Sequence, residues 1–537
     1  MPNFSSRPGT GDPKLAKAAH LLSRKAYREA HALCVDVLKT APDNAEAFYL
    51  LGLLTSDHGN FTRAEELFRA ALERAPDHAA ALAQRARCLI ALSRRAQAVN
   101  AARQAGALLP QDAFTLDTVG VVMSRAGLHG EALPFYARAT AAEPGNANYH
   151  YNYGAALQFA GEMDGARAAY RACAAADAED TRALPAIVQI TRQTEGRQEI
   201  AALEALFARH AEDPDAALRI GHALAKAHED LKQPEAALHW LARAKAGKRA
   251  IISHDAGADA ALFEAAIRSA GTLRGRTSAA GGAPVFICGM PRTGTTLVDR
   301  ILSSHSQLTS AGELTDFALC LKQMAKTPSN LVLDPETLDA AASADLTALG
   351  GRYLKSVRDS LGLAGRFTDK MPLNILLTPV ILAALPEARV ICLRRHPADT
   401  VLSNYRQMFA TSFSYYNYAY TLEDTARYFV QFDRMVRHFE HVLPPERFTL
   451  VHYERVVADL ETEARRLPDF CDLPFEEQCL AFHENAAPVA TASSAQVREP
   501  LYTTALGRWK RYEAGLTAAL DILQAAGCLA AGERSRG

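Results

Sequence analysis

The residues best suited to chemistry lie together in segment 285–297, which reads VFICGMPRTGTTL. An apolar run typical of a buried strand leads into a loop bounded by Gly289 and Gly294, and a helical pattern follows. In that order, backbone N–H groups of the loop and of the helix start point at one place, where the helix dipole favours negative charge. Glycine lets the backbone approach an anion closely. The segment therefore predicts a phosphate-binding loop.

This loop differs from the common nucleotide-binding loop in one informative way. A Walker loop reads GxxxxGK[ST], and its lysine reaches the terminal phosphates. Gly289 and Gly294 keep that spacing, but Thr295 stands where the lysine would be, and a cation, Arg292, lies inside the loop. Because a planar fork of donors suits a tetrahedral oxyanion, we expect an anionic ligand other than a triphosphate. The alternative is a strand–turn–helix whose glycines serve packing alone.

Length and composition limit the class of protein. The chain has 537 residues, which predicts two or more domains, and its 49% apolar and 22% charged residues are typical of globular proteins. A formal net charge of −1 provides no general attraction for nucleic acid. The nine cysteines are scattered without a CxxC pair, which argues against structural zinc and disulfides and fits a reducing compartment. With no secretory-signal pattern and no long apolar run, we expect a cytoplasmic protein without a membrane span.

Small residues and prolines recur every 34 residues in the first half of the chain. The recurring positions are Pro42, Pro76, Pro110 and Pro144; Ala30, Ala64, Ala98, Ala132 and Ala166; and Gly52, Ala86, Gly120 and Gly154. This is the period of the tetratricopeptide repeat, a helix–turn–helix unit. Small residues let the two helices of a unit cross closely, and proline ends the second helix. The pattern predicts an N-terminal tetratricopeptide α-solenoid.

The repeat array is expected to cover residues 13–250, with degenerate or capping units after Asp177, where the proline register fails. Segment 251–282 ends in LRGRTSAAGG, a composition typical of a linker, and residues 283–537 form the next domain. Repeat arrays present concave surfaces to peptides or proteins, so this one would bind the substrate or a protein partner. Alternatively, it only supports the second domain or dimerises the chain.

The second domain contains three further patterns of buried strands, at 366–369, 389–393 and 447–452, and helical patterns separate them. Such alternation predicts a P-loop-like α/β domain with a central parallel sheet. Ligands of these sheets bind beyond the carboxyl ends of the strands. That rule selects the glycine-bounded loop together with Lys370, Arg395 and Tyr453.

Other polar residues near these strand ends could complete a site. Ser403 lies eight residues past Arg395 on a predicted helix, so both could contact one phosphate if the helix runs beside it. Glu313 opens the helical pattern ELTDFALCLKQM. The alternatives are a solvated arginine with a helix serine, an acid favoured by a helix dipole, and a surface lysine at 370.

Three segments of the second domain resemble a known family. PRTGTT in the loop, RRHPADTVLS after a strand and GRWKRY near the C-terminus are similar to sulfotransferases that use 3′-phosphoadenosine 5′-phosphosulfate. The resemblance covers about 283–512. Glu313, twenty-one residues after Arg292, and Lys370 in TDKMP look closest to the tyrosylprotein sulfotransferase branch.

The resemblance implies how the sulfate donor would be held. The 5′-phosphosulfate would contact Arg292, Thr293, Gly294, Thr295 and Thr296. Arg395 and Ser403 would hold the 3′-phosphate, Tyr453 would lie near the nucleotide, and Arg498 would add an anion contact.

The resemblance also implies the catalytic roles. Glu313 would be the general base, while Lys370 and one of two adjacent serines, of which we name Ser494, would assist the leaving group. Sulfuryl transfer, like phosphoryl transfer, depends mainly on positioning and charge stabilisation, so no metal is required.

The acceptor stays open at this point, because peptide tyrosines, saccharides, lipids and small phenols all carry hydroxyl groups. Members of the tyrosylprotein branch have a signal anchor and disulfides, neither of which we expect here, and Glu499 stands where that branch has a lysine. Two other classes of protein also remain as alternatives to a sulfotransferase. A P-loop kinase-like enzyme would need the loop lysine, and a repeat scaffold with a non-catalytic nucleotide-binding domain would not need Glu313 or Lys370.

Overall fold

The computed structural model of the chain describes residues 12–92, 94–196, 198–363, 365–410, 414–485, 501, 505–530 and 532–534. The chain forms two compact units, Met1–Arg209 and His210–Gly537. Within the described residues, no helix is both long and apolar enough to span a bilayer. All nine cysteines belong to the described residues and are free thiols.

The first unit consists of helices, and consecutive helices pack in antiparallel pairs. The helices are α1 Pro13–Ser23, α2 Tyr27–Thr40, α3 Ala45–Asp57, α4 Phe61–Arg74, α5 Ala79–Ala91, α6 Arg95–Ala107, α7 Ala113–Arg125, α8 His129–Ala142, α9 Ala147–Ala160, α10 Met163–Ala176, α11 Ala183–Ile190 and α12 Ile200–Arg209. The four prolines of the 34-residue period lie in the short links between one pair and the next, as predicted.

Ring packing explains why the small residues recur. A Cβ atom added to Gly120 would lie 2.7 Å from Tyr136 Cε1, and one added to Gly154 would lie 2.8 Å from the Tyr170 ring. Gly52, Gly120 and Gly154 therefore each make room for an aromatic ring sixteen residues later, on the second helix of the pair. The predicted tetratricopeptide fold is confirmed.

The second unit combines helices with one sheet. Its helices are α13 Pro214–Asp230, α14 Pro234–Ile251, α15 Ala256–Thr272, α16 Thr295–Ser303, α17 Asp316–Ala325, α18 Pro335–Ala340, α19 Leu346–Leu361, α20 Thr378–Ala384, α21 Pro397–Tyr405, α22 Leu422–Val442, α23 Tyr453–Ala458, α24 Leu460–Phe470 and α25 Thr517–Ala525. Its strands are β1 Val285–Gly289, β2 Thr309–Ser310, β3 Phe367–Lys370, β4 Arg389–Arg394 and β5 Phe448–His452. Two 3-10 segments, Ser414–Tyr420 and Arg508–Leu516, also border the site described below.

The five strands form one sheet in the order β2-β3-β1-β4-β5, and each neighbouring pair is parallel. Strand β1 is buried along its whole length, as a strand covered by helices on both faces must be. The predicted parallel sheet is thus confirmed. Strand β2 was not predicted, because two residues are too short to give a pattern.

The strand order locates the ligand-binding edge. After β1 the chain moves to one side, to β2 and β3, and after β4 it moves to the other side, to β5. Such a reversal opens a crevice beyond the carboxyl ends of the two central strands. The register pairs Ile287 with Lys370 and Gly289 with Leu393, so the loop after β1 adjoins the ends of β3 and β4.

The helix pair α13–α14 belongs to the same compact unit as the sheet, although its sequence pattern continues the repeat array. Gly221 allows the two helices of this pair to pack closely, because a Cβ atom added there would lie 2.5 Å from Ala244 Cβ. Segment 251–282, which we expected to be a linker, contains α15. The bounds 13–250, 251–282 and 283–537 stay predictions.

Candidate functional site

The loop after β1 depends on residues that adopt a left-handed backbone. The φ angles of Gly289, Arg292 and Gly294 are 139°, 66° and 105°. A Cβ on Gly289 would lie 2.6 Å from the Leu393 carbonyl oxygen, and one on Gly294 would lie 2.6 Å from Tyr453 Cδ2. Both positions therefore require glycine, and the left-handed Arg292 costs roughly 1–3 kcal/mol, strain that clusters at functional sites.

Helix α16 begins directly after this loop, with Gly294 as its N-cap. The Thr293 hydroxyl donates to the Met290 carbonyl oxygen at 2.7 Å and closes the turn. Thr295 and Thr296 occupy the first turn of the helix, and both are buried. The first N–H groups of a helix lack intrahelical partners, so the helix start and the loop together form an anion cradle.

Arg395, directly after β4, connects the neighbouring parts of the site. Its Nη1 donates to the carbonyl oxygen of Arg292 at 3.3 Å and to the hydroxyl of Ser403 at 3.4 Å. Its Nη2 donates to the carbonyl oxygen of Ala505, and its guanidinium carbon lies 4.9 Å from the centre of the Tyr453 ring. Only 8% of the side chain is exposed. Arg395 is therefore a buried cation that contacts the loop, helix α21 and the start of α23.

One donor of Arg395 has no partner among the described residues: its buried Nε–H donates no hydrogen bond there. A buried donor without a partner is costly, and an anion beside the guanidinium would satisfy it. The predicted pairing of Arg395 with Ser403 thus exists in the structure, whereas their proposed contact with a 3′-phosphate stays a prediction.

The GRWKRY segment is anchored on helix α21. The buried carboxylate of Asp399 accepts the backbone N–H of Gly507 at 2.8 Å and that of Trp509 at 2.9 Å. The Trp509 ring also stacks on His396, with ring centres 5.5 Å apart and planes inclined by 6°. We did not single out Asp399 from the sequence. Its place in the first turn after Arg395 was a weak signal, because acids are common there for the helix dipole alone.

Glu313 and Lys370 form an ion pair beyond the end of β3. The Lys370 side chain is 2% exposed, whereas that of Glu313 is 42% exposed, and Lys370 Nζ contacts Glu313 Oε1. The alternative of a solvated surface lysine is therefore wrong. The pair presents one accessible carboxylate next to a buried cation at the same sheet edge as the loop.

Glu313 does not open a helix, contrary to the sequence pattern. The N–H of Ala311 donates to the Thr368 carbonyl, and the N–H of Lys370 donates to the carbonyl of Gly312, each at 2.9 Å. These bonds continue the pairing with β3 past the end of β2, and a left-handed Gly312 then turns the chain. Helix α17 begins only at Asp316.

Two buried acids support this edge of the sheet. Asp299, on α16, accepts the Thr368 hydroxyl at 2.5 Å and the Ser310 hydroxyl at 2.9 Å. Asp369 accepts the Tyr353 hydroxyl at 2.8 Å, and burial raises the pKa of Asp369 to about 7. Burial likewise raises the pKa of Asp299. The acids connect α16, β2, β3 and α19, and neither was selected as a site residue from the sequence.

Two stacked aromatic rings, Phe409 and Tyr416, form what we call the aromatic wall, with ring centres 4.4 Å apart. Tyr416 lies in the 3-10 segment Ser414–Tyr420. Burial raises the pKa of Tyr416, and the charge of Glu313 adds to that rise. The carboxylate of Glu313 is therefore within electrostatic reach of the aromatic wall.

Ser494 and Arg498 lie outside the described residues, as does Glu499. Tyr453 starts α23 and packs on Gly294 and Arg395. Among the described residues, no cluster of three or more His, Cys, Asp or Glu side chains could hold a metal ion.

Comparison with known proteins identifies both parts of the chain. Residues 284–477 match the model of the sulfotransferase family, and residues 56–114 match that of the tetratricopeptide repeat. The chain is thus a tetratricopeptide-repeat protein with a sulfotransferase-family domain.

Several proteins are similar to part of the chain. An uncharacterized protein of Aquifex aeolicus (strain VF5) is 34% identical over 245 residues, which are 45% of this chain and 32% of that protein, so the match spans about a third of its length. A candidate protein-tyrosine sulfotransferase of Caenorhabditis briggsae is 26% identical over 42% of this chain and 80% of its own length. The protein-tyrosine sulfotransferase of Drosophila melanogaster is 23% identical over 42% of this chain and 46% of its own length.

Among solved structures, pilF of Pseudomonas aeruginosa has a TM-score of 0.31 and 18% identity, covering 40% of this chain and 94% of that one.

Proposed function

We propose that the protein transfers a sulfuryl group from 3′-phosphoadenosine 5′-phosphosulfate to an acceptor hydroxyl. The observation that carries the proposal is Arg395, a buried cation that contacts both the phosphate-loop carbonyl of Arg292 and the hydroxyl of Ser403. A cation and a hydroxyl beside a phosphate loop suit a nucleotide with a second phosphate on its ribose. The sulfotransferase-family match over residues 284–477 supports this interpretation.

The donor would occupy the crevice beyond β1 and β4. Its 5′-phosphosulfate would lie on the loop and the first turn of α16, where backbone N–H groups and the helix dipole stabilise negative charge. Its 3′-phosphate would lie between Arg395 and Ser403, replacing their long mutual contact of 3.4 Å and accepting from the Arg395 Nε–H, which has no partner in the described part of the chain. ATP has no 3′-phosphate and would leave this part of the crevice unsatisfied.

The transfer step follows from the Glu313–Lys370 pair. The acceptor oxygen attacks sulfur, a new oxygen–sulfur bond forms, and the bond from sulfur to the 5′-phosphate oxygen breaks. The acceptor proton passes to the exposed carboxylate of Glu313. General base catalysis of this kind increases the rate by roughly 10²–10⁴-fold. The departing bisphosphate gains negative charge, and Lys370 with the loop N–H groups stabilises it.

We further propose a tyrosine side chain of a peptide as the acceptor. Two of the relatives described above carry names of protein-tyrosine sulfotransferases, and Phe409 and Tyr416 supply an aromatic surface within electrostatic reach of the proposed base. A phenol ring could pack on such rings while its hydroxyl reaches Glu313. The repeat array would then bind the peptide or a partner protein, in keeping with the surfaces of such arrays.

A transfer assay with the full chain tests this function. The protein is incubated with donor labelled in the sulfuryl group and with matched peptides that carry tyrosine, phenylalanine or serine at one position. We expect label on the tyrosine peptide alone. Label on a saccharide but on no peptide would correct the acceptor, and no transfer to any hydroxyl compound would contradict the proposed activity.

A further inference from the structure

The helix pair α13–α14 contacts the segments that form both sides of the proposed site. Its sequence continues the repeat pattern, yet it lies in the same compact unit as the sheet. Two polar side chains of the pair, Glu229 on α13 and Lys245 on α14, are largely buried against these segments. Buried polar groups are retained at a cost, so their specific partners indicate what they do.

Glu229 joins two segments that carry donor-side residues. Its carboxylate binds Arg406 in a bidentate manner, through Nε and Nη2, and accepts the Tyr512 hydroxyl at 2.7 Å. Arg406 directly follows α21, three residues after Ser403, and Tyr512 lies three residues after Trp509. The side chains of Glu229 and Arg406 are 17% and 20% exposed, which makes a bidentate, charge-assisted contact strong and geometrically specific.

The two joined segments meet again at the donor side. Asp399, in the first turn of α21, binds the N–H groups of Gly507 and Trp509, and Arg395 donates to Ala505. Helix α21 and segment 505–512 are therefore connected at one end through Asp399 and at the other end through Glu229. Within this closed arrangement, a shift of Glu229 would displace Arg406 and the end of α21 that carries Ser403 relative to segment 505–512.

Helix α21 also touches the phosphate loop directly. The side-chain amide of Asn404 donates to the Pro291 carbonyl oxygen at 2.8 Å and receives the Tyr418 hydroxyl at 3.0 Å. The placement of α21 thus fixes the loop as well as Ser403.

Lys245 contacts mainly the acceptor side. Its Nζ donates to the carbonyl oxygen of Ala419 at 2.7 Å and lies 5.3 Å from the ring centre of Tyr420. Its contacts with the end of α21 are longer: 3.4 Å to the carbonyl oxygen of Gln407 and 5.0 Å to the ring centre of Tyr405. Ala419 belongs to the 3-10 segment that carries Tyr416 of the aromatic wall. Lys245 thereby holds the backbone of the aromatic wall.

We propose that Glu229 and Lys245 are positioning residues of the enzyme: Glu229 aligns the donor-phosphate contacts, and Lys245 aligns the aromatic acceptor wall. The last helix pair of the repeat pattern is then part of the active-site support. This inference rests on the proposed function, because the donor and acceptor sides are defined by it.

Two variants, Glu229→Gln and Tyr512→Phe, test the proposed role of Glu229 in donor binding. Glu229→Gln removes the negative charge that binds Arg406, and Tyr512→Phe removes the hydroxyl that Glu229 accepts. Both variants nearly keep the shape of the side chain. The matched control is Asp230→Asn. Asp230 is the neighbouring acid on α13, and it pairs with Lys226 on the same helix. Calorimetry with 3′,5′-bisphosphoadenosine should show about tenfold weaker binding for both test variants, the usual effect of losing a charge-assisted bond. The control should bind like the unaltered chain.

The acceptor half is tested with Lys245→Met, which keeps the length of the side chain, and with Lys248→Met as control. Lys248 is also buried on α14, but it pairs with Asp215 at 2.8 Å. With 4-nitrophenol as acceptor, Lys245→Met should raise the acceptor KM several-fold, while its bisphosphate affinity stays unchanged. The control should change neither quantity.

The two readouts separate positioning from general damage. Thermal unfolding is measured for every variant, and only variants that remain folded at the assay temperature are compared. Two outcomes would overturn the inference. One is an equal loss of donor and acceptor binding in both sets of variants. The other is unchanged binding in Glu229→Gln and Lys245→Met that remain folded. If the unaltered chain binds no bisphosphate, the proposed function fails and the inference fails with it.

Discussion

The ammonium group of Lys370, buried at the end of β3, is paired with the half-exposed carboxylate of Glu313. This arrangement combines a fixed positive charge with an accessible proton acceptor. Because Lys370 lies opposite Ile287 in the sheet, the pair adjoins the strand that leads into the phosphate loop. Charge that develops on a leaving group at that loop would be close to a cation that is already desolvated and oriented.

Replacing Glu313 tests the base. Glu313→Gln should reduce kcat by roughly 10²–10⁴-fold, because the amide cannot take the acceptor proton, while the affinity for 3′,5′-bisphosphoadenosine changes little. Glu336→Gln, at an exposed site on α18, is the control and should leave both values unchanged. Undiminished turnover of Glu313→Gln would remove Glu313 from the mechanism.

Replacing Arg395 or Ser403 tests the second phosphate site. Arg395→Ala should weaken bisphosphate binding about tenfold or more, yet it should hardly affect adenosine 5′-monophosphate, which lacks the 3′-phosphate. Ser403→Ala should act in the same direction with a smaller effect. Because both would contact one group, their combined effect should differ from the sum of the single effects.

The comparison of the two nucleotides provides the internal control for this prediction. Arg268→Ala, which removes an exposed arginine paired with Asp339, should alter neither affinity. Equal weakening of both nucleotides by Arg395→Ala would show that Arg395 supports the crevice without reading the 3′-phosphate.

Gly289 tests the backbone of the loop. Gly289→Ala places a methyl group 2.6 Å from the Leu393 carbonyl oxygen at a φ of 139°, so β1 and β4 would have to separate. We expect a loss of stability of about 1 kcal/mol or more, together with weaker bisphosphate binding. Gly351→Ala on α19 has no atom within 4 Å of the added carbon and should be neutral or stabilising. Thermal unfolding and calorimetry measure both effects.

Lys245 should give the protein a characteristic dependence of stability on pH. Burial lowers the pKa of Lys245 to about 7, so between pH 7 and about 10 the folded chain binds fewer protons at this site than the unfolded chain. Its contribution to stability therefore rises with pH in that window. From pH 7 to about 8.5, the unfolding free energy of the unaltered chain should therefore increase relative to that of Lys245→Met.

The comparison with Lys245→Met removes other contributions to the pH dependence. Burial raises the pKa of thiols such as Cys34 and Cys471 to about 12, so the stability of each chain falls as the pH rises past about 9, but this loss is common to both chains and cancels in their difference. A difference between Lys245→Met and the unaltered chain that is constant with pH would contradict the lowered pKa of Lys245.

Features set by local spacing could be predicted from the sequence. The 34-residue period appears because similar packing recurs from one helix pair to another: Gly52, Gly120 and Gly154 each face an aromatic ring of their own pair. The glycine-bounded loop and the neighbouring strand ends were predictable because alternating strands and helices force a parallel sheet. The same rule placed Lys370 and Arg395 at one edge.

Features set by contacts between distant segments could not be predicted. Asp399 and Trp509 are 110 residues apart, and Glu229 and Arg406 are 177 apart, so neither pair leaves a periodic signal. Glu313 followed a helical pattern, but pairing along β3 kept it outside the helix. In each case a long-range hydrogen bond decided the local structure.

The most direct measurement is a calorimetric titration of the full chain with 3′,5′-bisphosphoadenosine and, separately, with ATP. A crevice that holds a 3′-phosphate through Arg395 and Ser403 should bind the bisphosphate at least about tenfold more tightly than ATP, since charge-assisted bonds to that phosphate are lost with ATP. Equal or tighter binding of ATP would contradict the proposed donor site.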